Sequence, residues 1–378
     1  MREDGAVGRP HRPADDRTPS DRTPSARTRR PRTRRPAGLH LLATAYGLAS
    51  TGLLVAVAVV GDGSALTYAA ALGVFWWVLP ALGLVPVAVV GRRWGTLASL
   101  LVPAVVAGAL TGPYLLPGRG DGEVVGRAES GADLRVAAFN TSGTRGLDAL
   151  DALVRRDAPD VLLLQEIGPS TREALADRYP QYPHRSYGTA FQDSPGAAGS
   201  VARSGSDAVL STVPLVSVEP VEGLPAGARP AEVVRLRTSQ GEVAVVSLHL
   251  ASPCLFCSRV EQEQNPAGGT ASAARVRTAE ARRFAELARA LGADGTPVVL
   301  GGDLNSSDLN TPLGVLTGSG LVDVHRAVGT RPQLTRGSNP GYARVDVVLV
   351  RGLRPLADAE RPAGGSDHSP VVADLAWP

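Results

Sequence analysis

Val298-Val-Leu-Gly-Gly-Asp-Leu-Asn-Ser306 reads as a buried β-branched strand that halts at two glycines and delivers Asp303 and Asn305 at its end. Side chains two apart in an extended segment point the same way, so the carboxylate and the amide face one pocket. Taken alone, the stretch is equally an Asx-rich turn after a strand. Its companions change the odds. Five other apolar strand-like stretches end in, or contain, a polar residue that an interior strand does not normally choose. These residues are Asn140, Gln165-Glu166, His249, Asp346 and Asp367-His368. A buried charge is costly unless it is paired or metal-bound. A set of them at strand ends is the pattern of a pocket built across sheet edges.

Within that set Glu166 is the best single candidate for a metal ligand. A hard carboxylate after a buried strand suits Mg²⁺, which takes oxygen ligands and keeps several waters. A closed Zn²⁺ cage does not follow from two histidines and two cysteines at irregular spacing. His249, in Ser247-Leu-His-Leu250, points away from its apolar neighbours if the strand is regular; a lone histidine of this kind is more often structural. Asp367-His368 sits in a Gly-Gly-Ser turn where a bend can present both side chains.

Charge divides the chain. Residues 1–38 hold eleven Arg against five Asp/Glu, net +6, whereas residues 121–378 hold 25 Arg against 30 Asp/Glu, net −5. The basic front, rich in Arg-Thr-Pro-Ser repeats, has too few apolar side chains to offset the entropy of ordering and reads as a disordered cytoplasmic tail. The acidic remainder lacks the basic footprint of a non-specific duplex-DNA binder.

Between the two lie three apolar stretches, about 41–60, 65–90 and 96–117, each reaching the ~20 residues that span a bilayer as a helix. The sequence thus reads as a tail (1–38), a three-helix membrane anchor (39–117), a Gly-rich linker (118–132) and a globular domain (133–378). Arg92 and Arg93 lie in the second loop and no positive charge lies in the first, Gly61-Asp-Gly-Ser64. The positive-inside rule therefore puts the tail and second loop in the cytoplasm, and three crossings leave the globular domain outside. The anchor offers no intramembrane ionisable residue from which to build a transport path.

From Asp133 the pattern is α/β. Strands are expected at 134–139, 161–164, 208–211, 233–236, 243–250, 298–300, 345–350 and 371–375, and helices at 145–157, 170–178 and 272–291. Few long helices among many short strands imply two sheets packed face to face with helices outside.

The ordered set Asn140, Gln165-Glu166, Ser247-Leu-His249, Gly302-Asp-Leu-Asn305, Arg344-Val-Asp346 and Ser366-Asp-His368 resembles the endonuclease/exonuclease/phosphatase superfamily over about 133–376. The resemblance implies a DNase I-like four-layer α/β-sandwich and a phosphoesterase. It also implies roles. Glu166, with Asn140 and Asp367 nearby, holds a divalent metal, Mg²⁺ or Mn²⁺. Asp303 and Asn305 position the attacking water and the scissile phosphate. His368 pairs with Asp346, and His249 donates to a phosphate oxygen or the leaving group. Many relatives carry an Arg or Tyr phosphate contact where this chain has Thr212; Arg203 and Tyr187 are the candidates left to replace it. By layout rather than motif, the anchored domain also resembles membrane members associated with glycopeptide resistance in actinomycetes.

Cys254 and Cys257, the only cysteines, follow His249 in a polar loop. In an oxidising exterior a local disulfide bracing that loop is the favoured reading; a redox Cys-x-x-Cys would want a thioredoxin-like setting. Two functional classes compete for the whole chain. One is a membrane-anchored phosphoesterase whose substrates are lipid-linked phosphates ahead of nucleic acid. The other is a non-catalytic binding module on the same fold, for which loss of Glu166, Asp303 or His368 would be the sign.

Overall fold

The computed structural model describes residues 37–112, 124, 126, 130–188, 206–255, 257–337 and 341–378. The tail expected to be disordered, most of the linker and Arg203 lie outside them.

Five apolar helices come first: α1 (Ala37–Val60), then after a one-turn 3-10 helix (Gly61–Gly63) α2 (Ala65–Leu72), α3 (Val74–Val78), α4 (Pro80–Val90) and α5 (Trp94–Thr111). Two helices are long and apolar enough to cross a membrane, Gly38–Gly63 and Trp94–Thr111. The middle stretch, expected as one helix over 65–90, is broken instead: Ala65–Leu72 and Val74–Val90 meet at 75°. Gly73, between them, lacks the side chain that favours helix continuation.

Next come β1 (Leu134–Asn140), α6 (Leu147–Asp157), β2 (Val161–Ile167), α7 (Pro169–Arg178), β3 (His184–Tyr187), β4 (Ser206–Ser211), β5 (Leu215–Pro220), β6 (Glu232–Arg237) and β7 (Glu242–His249). They are followed by α8 (Arg259–Gln264), α9 (Thr270–Leu291), β8 (Val298–Asp303), α10 (Thr311–Thr317), β9 (Val322–Asp323), α11 (Val324–Val328), β10 (Asp346–Arg351), β11 (Arg354–Glu360) and β12 (Val371–Ala376). The strands form two six-stranded sheets, in the orders β11-β12-β1-β2-β4-β3 and β5-β6-β7-β8-β10-β9.

The layers follow from which faces are apolar. Val136, Ala138, Leu163, Val245, Val299 and Val348 interleave between the sheets. On the outer face of the first sheet Phe139, Leu162 and Leu164 meet Leu150 and Leu153 of α6. On the outer face of the second, Val246 and Leu300 meet Phe284 of α9 and Leu313 of α10. With both faces covered, the central strands are buried throughout and read as continuous apolar runs rather than alternating ones. This is the expected two-sheet α/β sandwich with helices outside.

The double glycine of the opening stretch has a steric reason. A Cβ on Gly301 would lie 2.7 Å from Leu163 Cδ1 in the opposing sheet. Gly302 has φ +143°, and a Cβ there would lie 2.0 Å from the Leu248 carbonyl. The strand that carries Asp303 can approach its neighbours this closely only without side chains.

Helix α9 also buries an acid. Glu280 is 1% exposed and accepts a hydrogen bond from the Ala251 amide at 2.9 Å. Desolvation raises its carboxyl to about 7 against the opposing pull of Arg229 and Arg277. The folded chain therefore holds a proton that the unfolded chain releases near pH 4.5, so stability falls as pH climbs from about 4.5 through 7. Glu280→Gln, which keeps an acceptor for Ala251, should remove that dependence. Chemical denaturation of the whole protein should find the variant equal to wild type at pH 4 and ahead by roughly 3 kcal/mol at pH 8. An equal decline in both proteins would contradict it.

Candidate active site

The rim formed by the C-terminal ends of β1, β2, β7 and β8 gathers the polar residues. β1 and β2 are parallel neighbours with Asn140 opposite Gln165, and β7 and β8 are parallel with His249 opposite Asp303. β10 runs antiparallel to β8 and sets Asp346 opposite Asp303. The two sheets bring both groups to one centre. Asn140 Nδ2 donates to Glu166 Oε1 at 3.2 Å and to Asp303 Oδ2 at 3.1 Å. His249 Nε2 lies 3.7 Å from Glu166 Oε1 and 3.8 Å from Asp303 Oδ2. Glu166 and Asp303 thus share two neighbours across the sheet interface.

On the other flank of Asp303, His368 Nδ1 sits 2.9 Å from Asp346 Oδ2, and His368 Nε2 lies 3.6 Å from Asp303 Oδ2. The imidazole is buried, which works against its charge. The Asp346 and Asp303 carboxylates outweigh that and raise its pKa to about 9. His249 behaves oppositely. Burial first, then the charges of Arg229, His368 and Arg336, hold its pKa well below the usual value, so it is neutral at pH 7. Asp303 is pushed upward by desolvation and by Asp346, with His368 pulling the other way.

Backbone strain concentrates here. Ser142, Glu166 and Asn305 have φ of +50°, +58° and +48°. For residues with a Cβ such angles cost free energy and persist only where surrounding contacts over-determine them. In Asn305 the amide N–H donates to Asp303 Oδ1 at 2.6 Å and the side chain donates to the Leu250 carbonyl at 2.9 Å. The side chain that should share a pocket with Asp303 is turned to the backbone.

Asp367 sits apart from the Glu166 group. Its carboxylate accepts from Ser142 and lies 2.8 Å from Arg336 Nη2 and 3.9 Å from Arg145 Nη2. Arg336 also contacts His368 Nε2. Gln165 donates to Ser247 Oγ at 2.8 Å, inside the sheet interface, and Arg344 pairs with Asp323 at 2.6 Å, so its role in its motif is structural. Tyr187 lies under the Arg172 guanidinium. Cys254 and Cys257 are joined in a disulfide.

Two residues were not picked out from sequence. Asp207 Oδ1 lies 3.5 Å from His249 Nδ1, and burial drives its carboxyl upward. It is the second residue of β4, which is antiparallel to β2, so the start of this strand meets the rim where the parallel strands end. That polar residue ahead of an apolar run was the available signal. Arg336 lies outside the named strands and reaches the site through isolated bridges to Ala343 and His368; no motif marks it.

The donors suit a hard cation. Asp303, Asp346 and His368, all buried, bring ligand-type atoms within 4.8 Å of one another. Since His368 Nδ1 is spent on Asp346 and both Asp303 oxygens already accept, from Asn140 and the Asn305 amide, the carboxylate most open to a cation is Glu166. A divalent cation would compensate the charge of carboxylates that burial has stripped of water. His249 Nδ1 is buried without a hydrogen-bond partner among the described residues.

The sequence model of the endonuclease/exonuclease/phosphatase family matches residues 137–368, more than half of the chain. The chain belongs to that family. Membership puts it among phosphoesterases and nucleases, whose members typically depend on a divalent metal. Solved structures similar to this family member include an endonuclease/exonuclease/phosphatase from Beutenbergia cavernae, at 24% identity over 65% of this chain and 71% of that one, TM-score 0.48. A humanised TDP2 of D. rerio is similar at 18% identity over 64% and 98%, TM-score 0.47. Sphingomyelinase C from Streptomyces griseocarneus is similar at 19% over 64% and 98%, TM-score 0.42. No curated protein matches the chain significantly.

Proposed function

We propose that this family member is a membrane-anchored, metal-dependent phosphoesterase acting outside the cytoplasm on a phosphate ester or pyrophosphate carried by a lipid. The observation that carries the reading is the convergence of Glu166, Asn140, Asp303, His249 and the His368–Asp346 pair on one centre. Glu166, with Asn140 and Asp303 beside it, would hold a divalent cation, Mg²⁺ or Mn²⁺, which would supply charge neutralisation on the phosphate oxygens. Asp303 orients the attacking water, and Asn305 holds the turn that presents it. Asp346 fixes the His368 tautomer, leaving Nε2 to carry the proton that the reaction moves. Neutral His249 donates from Nε2 to a phosphate oxygen while Asp207 faces Nδ1. Arg336, beside His368, takes the phosphate-contact role that Thr212 leaves open. Asp367 then acts on the site through Ser142 and Arg336 rather than as a direct ligand.

Parity supports the sidedness. The turn after α1 and α2 both touch the catalytic half directly: Asn310 Nδ2 donates to Asp62 Oδ1, and Ser307 Oγ donates to the Ala71 carbonyl at 2.7 Å. Segments in contact lie on one side of a bilayer, so the chain between them crosses an even number of times. With α5 as one crossing, α3 and α4 together make the other, and α1 makes three. The arginine-rich tail then stays inside and the catalytic half outside, in accord with Arg92-Arg93 in the second loop. The same contacts hold the site close to the lipid surface. This layout favours a lipid-borne substrate.

Sealed right-side-out vesicles carrying the whole chain test both parts. They should hydrolyse a polyprenyl pyrophosphate or a phosphodiester lipid without permeabilisation, with DNA cut at most weakly, and EDTA should stop the reaction. Efficient DNA cleavage with no lipid turnover would overturn the substrate class. Activity appearing only after permeabilisation would overturn the sidedness.

A further inference from the structure

The anchor reaches further than a tether needs to. Tyr68 of α2 is 1% exposed, and its hydroxyl donates to the Asn305 carbonyl at 2.8 Å. Over its ring lies the guanidinium of Arg277, with Cζ 4.8 Å from the centroid. Arg277 comes from α9 and is itself fully buried. Its Nη1 donates to the Ala251 carbonyl at 3.0 Å, two residues beyond His249. Its Nε and Nη2 have no hydrogen-bond partner among the described residues. A buried guanidinium is costly without compensation. Here compensation comes partly from the Tyr68 ring face and the negative charge of Asp62. The catalytic half thus carries a buried cation whose balancing groups stand partly on the anchor.

Asn305 is the second half of the argument. Its φ of +48° has to be held by surrounding contacts. Two of the three that hold it, from Asp303 and Leu250, are internal to the catalytic half. The third is the Tyr68 hydroxyl. Just downstream, Ser307 and Asn310 are fastened to Ala71 of α2 and to Asp62 of the 3-10 helix before it, so the turn after β8 is clamped against both.

We propose that Tyr68 is a positioning residue of the catalytic centre, and that hydrolysis at full rate requires α2 docked on the turn that carries Asn305. The proposal rests on the hydrolytic reading above. It makes the anchor part of the enzyme: whatever displaces α2 slows catalysis at an intact centre. A purely mechanical role for α2, holding the domain against the bilayer, predicts otherwise.

Tyr68→Phe separates the two. It keeps the ring, its burial and the contact with Arg277, and removes one hydrogen bond to the Asn305 carbonyl. With the whole chain in lipid nanodiscs and a soluble phosphodiester as substrate, kcat should fall roughly tenfold, with KM within about twofold and the melting temperature nearly unchanged. Asp62→Asn, which weakens docking from the far end of the clamp, should lower kcat in the same direction by a smaller factor. Wild-type turnover in both variants would overturn the proposal while leaving the hydrolytic reading standing. So would a raised KM at unchanged kcat, or a lowered melting temperature at unchanged kcat. A wild-type protein inactive on every substrate would remove the hydrolytic reading, and this proposal with it.

Discussion

Asp303→Asn and His368→Ala should each lower kcat by about 10³-fold or more while the protein still folds and inserts. Asp303 lies beside four members of the centre: Asn140 at 3.1 Å, His368 Nε2 at 3.6 Å, His249 Nε2 at 3.8 Å, and the Asn305 amide. The asparagine keeps shape and one acceptor but loses the charge that orients water and balances His368. His368→Ala removes the group that moves the proton and leaves Asp346 buried without its partner. Circular dichroism in detergent should show both variants folded, with Asp303→Asn melting near wild type and His368→Ala melting lower because Asp346 is left a buried charge without its partner. Doubling up should cost little more than either single change, since residues acting as one unit are strongly non-additive. Near-wild-type rates in both single variants would remove the mechanism. A double variant whose loss is the product of the two would mean that they act in separate steps.

The readability of this chain follows from where its constraints lie. Strands buried on both faces, such as β1, β2, β7 and β8, are apolar throughout, so a polar residue at their ends stands out; Asn140, Glu166, His249 and Asp303 could be read in this way. The edge strands could not. β3 carries His184, Arg185 and Ser186, and β5 ends in Val-Glu-Pro, because one side of each needs no apolar partner. Their sequences look like loop, and both were missed, as was β11. Asp207 escaped for a related reason: an antiparallel strand begins where its parallel neighbours end, which only pairing reveals. Asn305 was legible as a site residue but not in its orientation, since its positive φ turns the amide to Leu250. The break at Gly73 was hidden because α2 is as apolar as a membrane helix. Tyr68 is buried against Arg277 and the Asn305 turn while Ala70 and Ala71 pack on Val57 of α1, and hydropathy does not distinguish protein from lipid as the apolar surroundings.

Removing the divalent ion should abolish turnover, and Glu166→Gln should shift the ion requirement rather than the fold. Glu166 is the carboxylate of the centre that is partly open to solvent, its side chain 32% exposed, whereas Asp303 is almost fully buried at 2%. Glu166, one of whose oxygens Asn140 Nδ2 already fixes, would therefore be the first carboxylate that an ion from water could reach. The glutamine keeps that geometry and removes one negative charge, so ion affinity should fall about 10- to 100-fold. In practice the Mg²⁺ concentration giving half-maximal activity should rise by that factor, with much of kcat recovered at saturation. Asp367→Asn is the useful contrast. Its carboxylate is engaged by Ser142 and Arg336, so its loss should alter phosphate binding through Arg336, raising KM with the Mg²⁺ requirement little changed. Titration of activity against Mg²⁺, after EDTA treatment and dialysis, reads both. Should Asp367→Asn move the Mg²⁺ midpoint while Glu166→Gln leaves it in place, the cation sits on the other side of Asn140 from the position argued here. Activity that survives thorough chelation in the wild type would mean that Arg336 and His368 neutralise the phosphate without an ion.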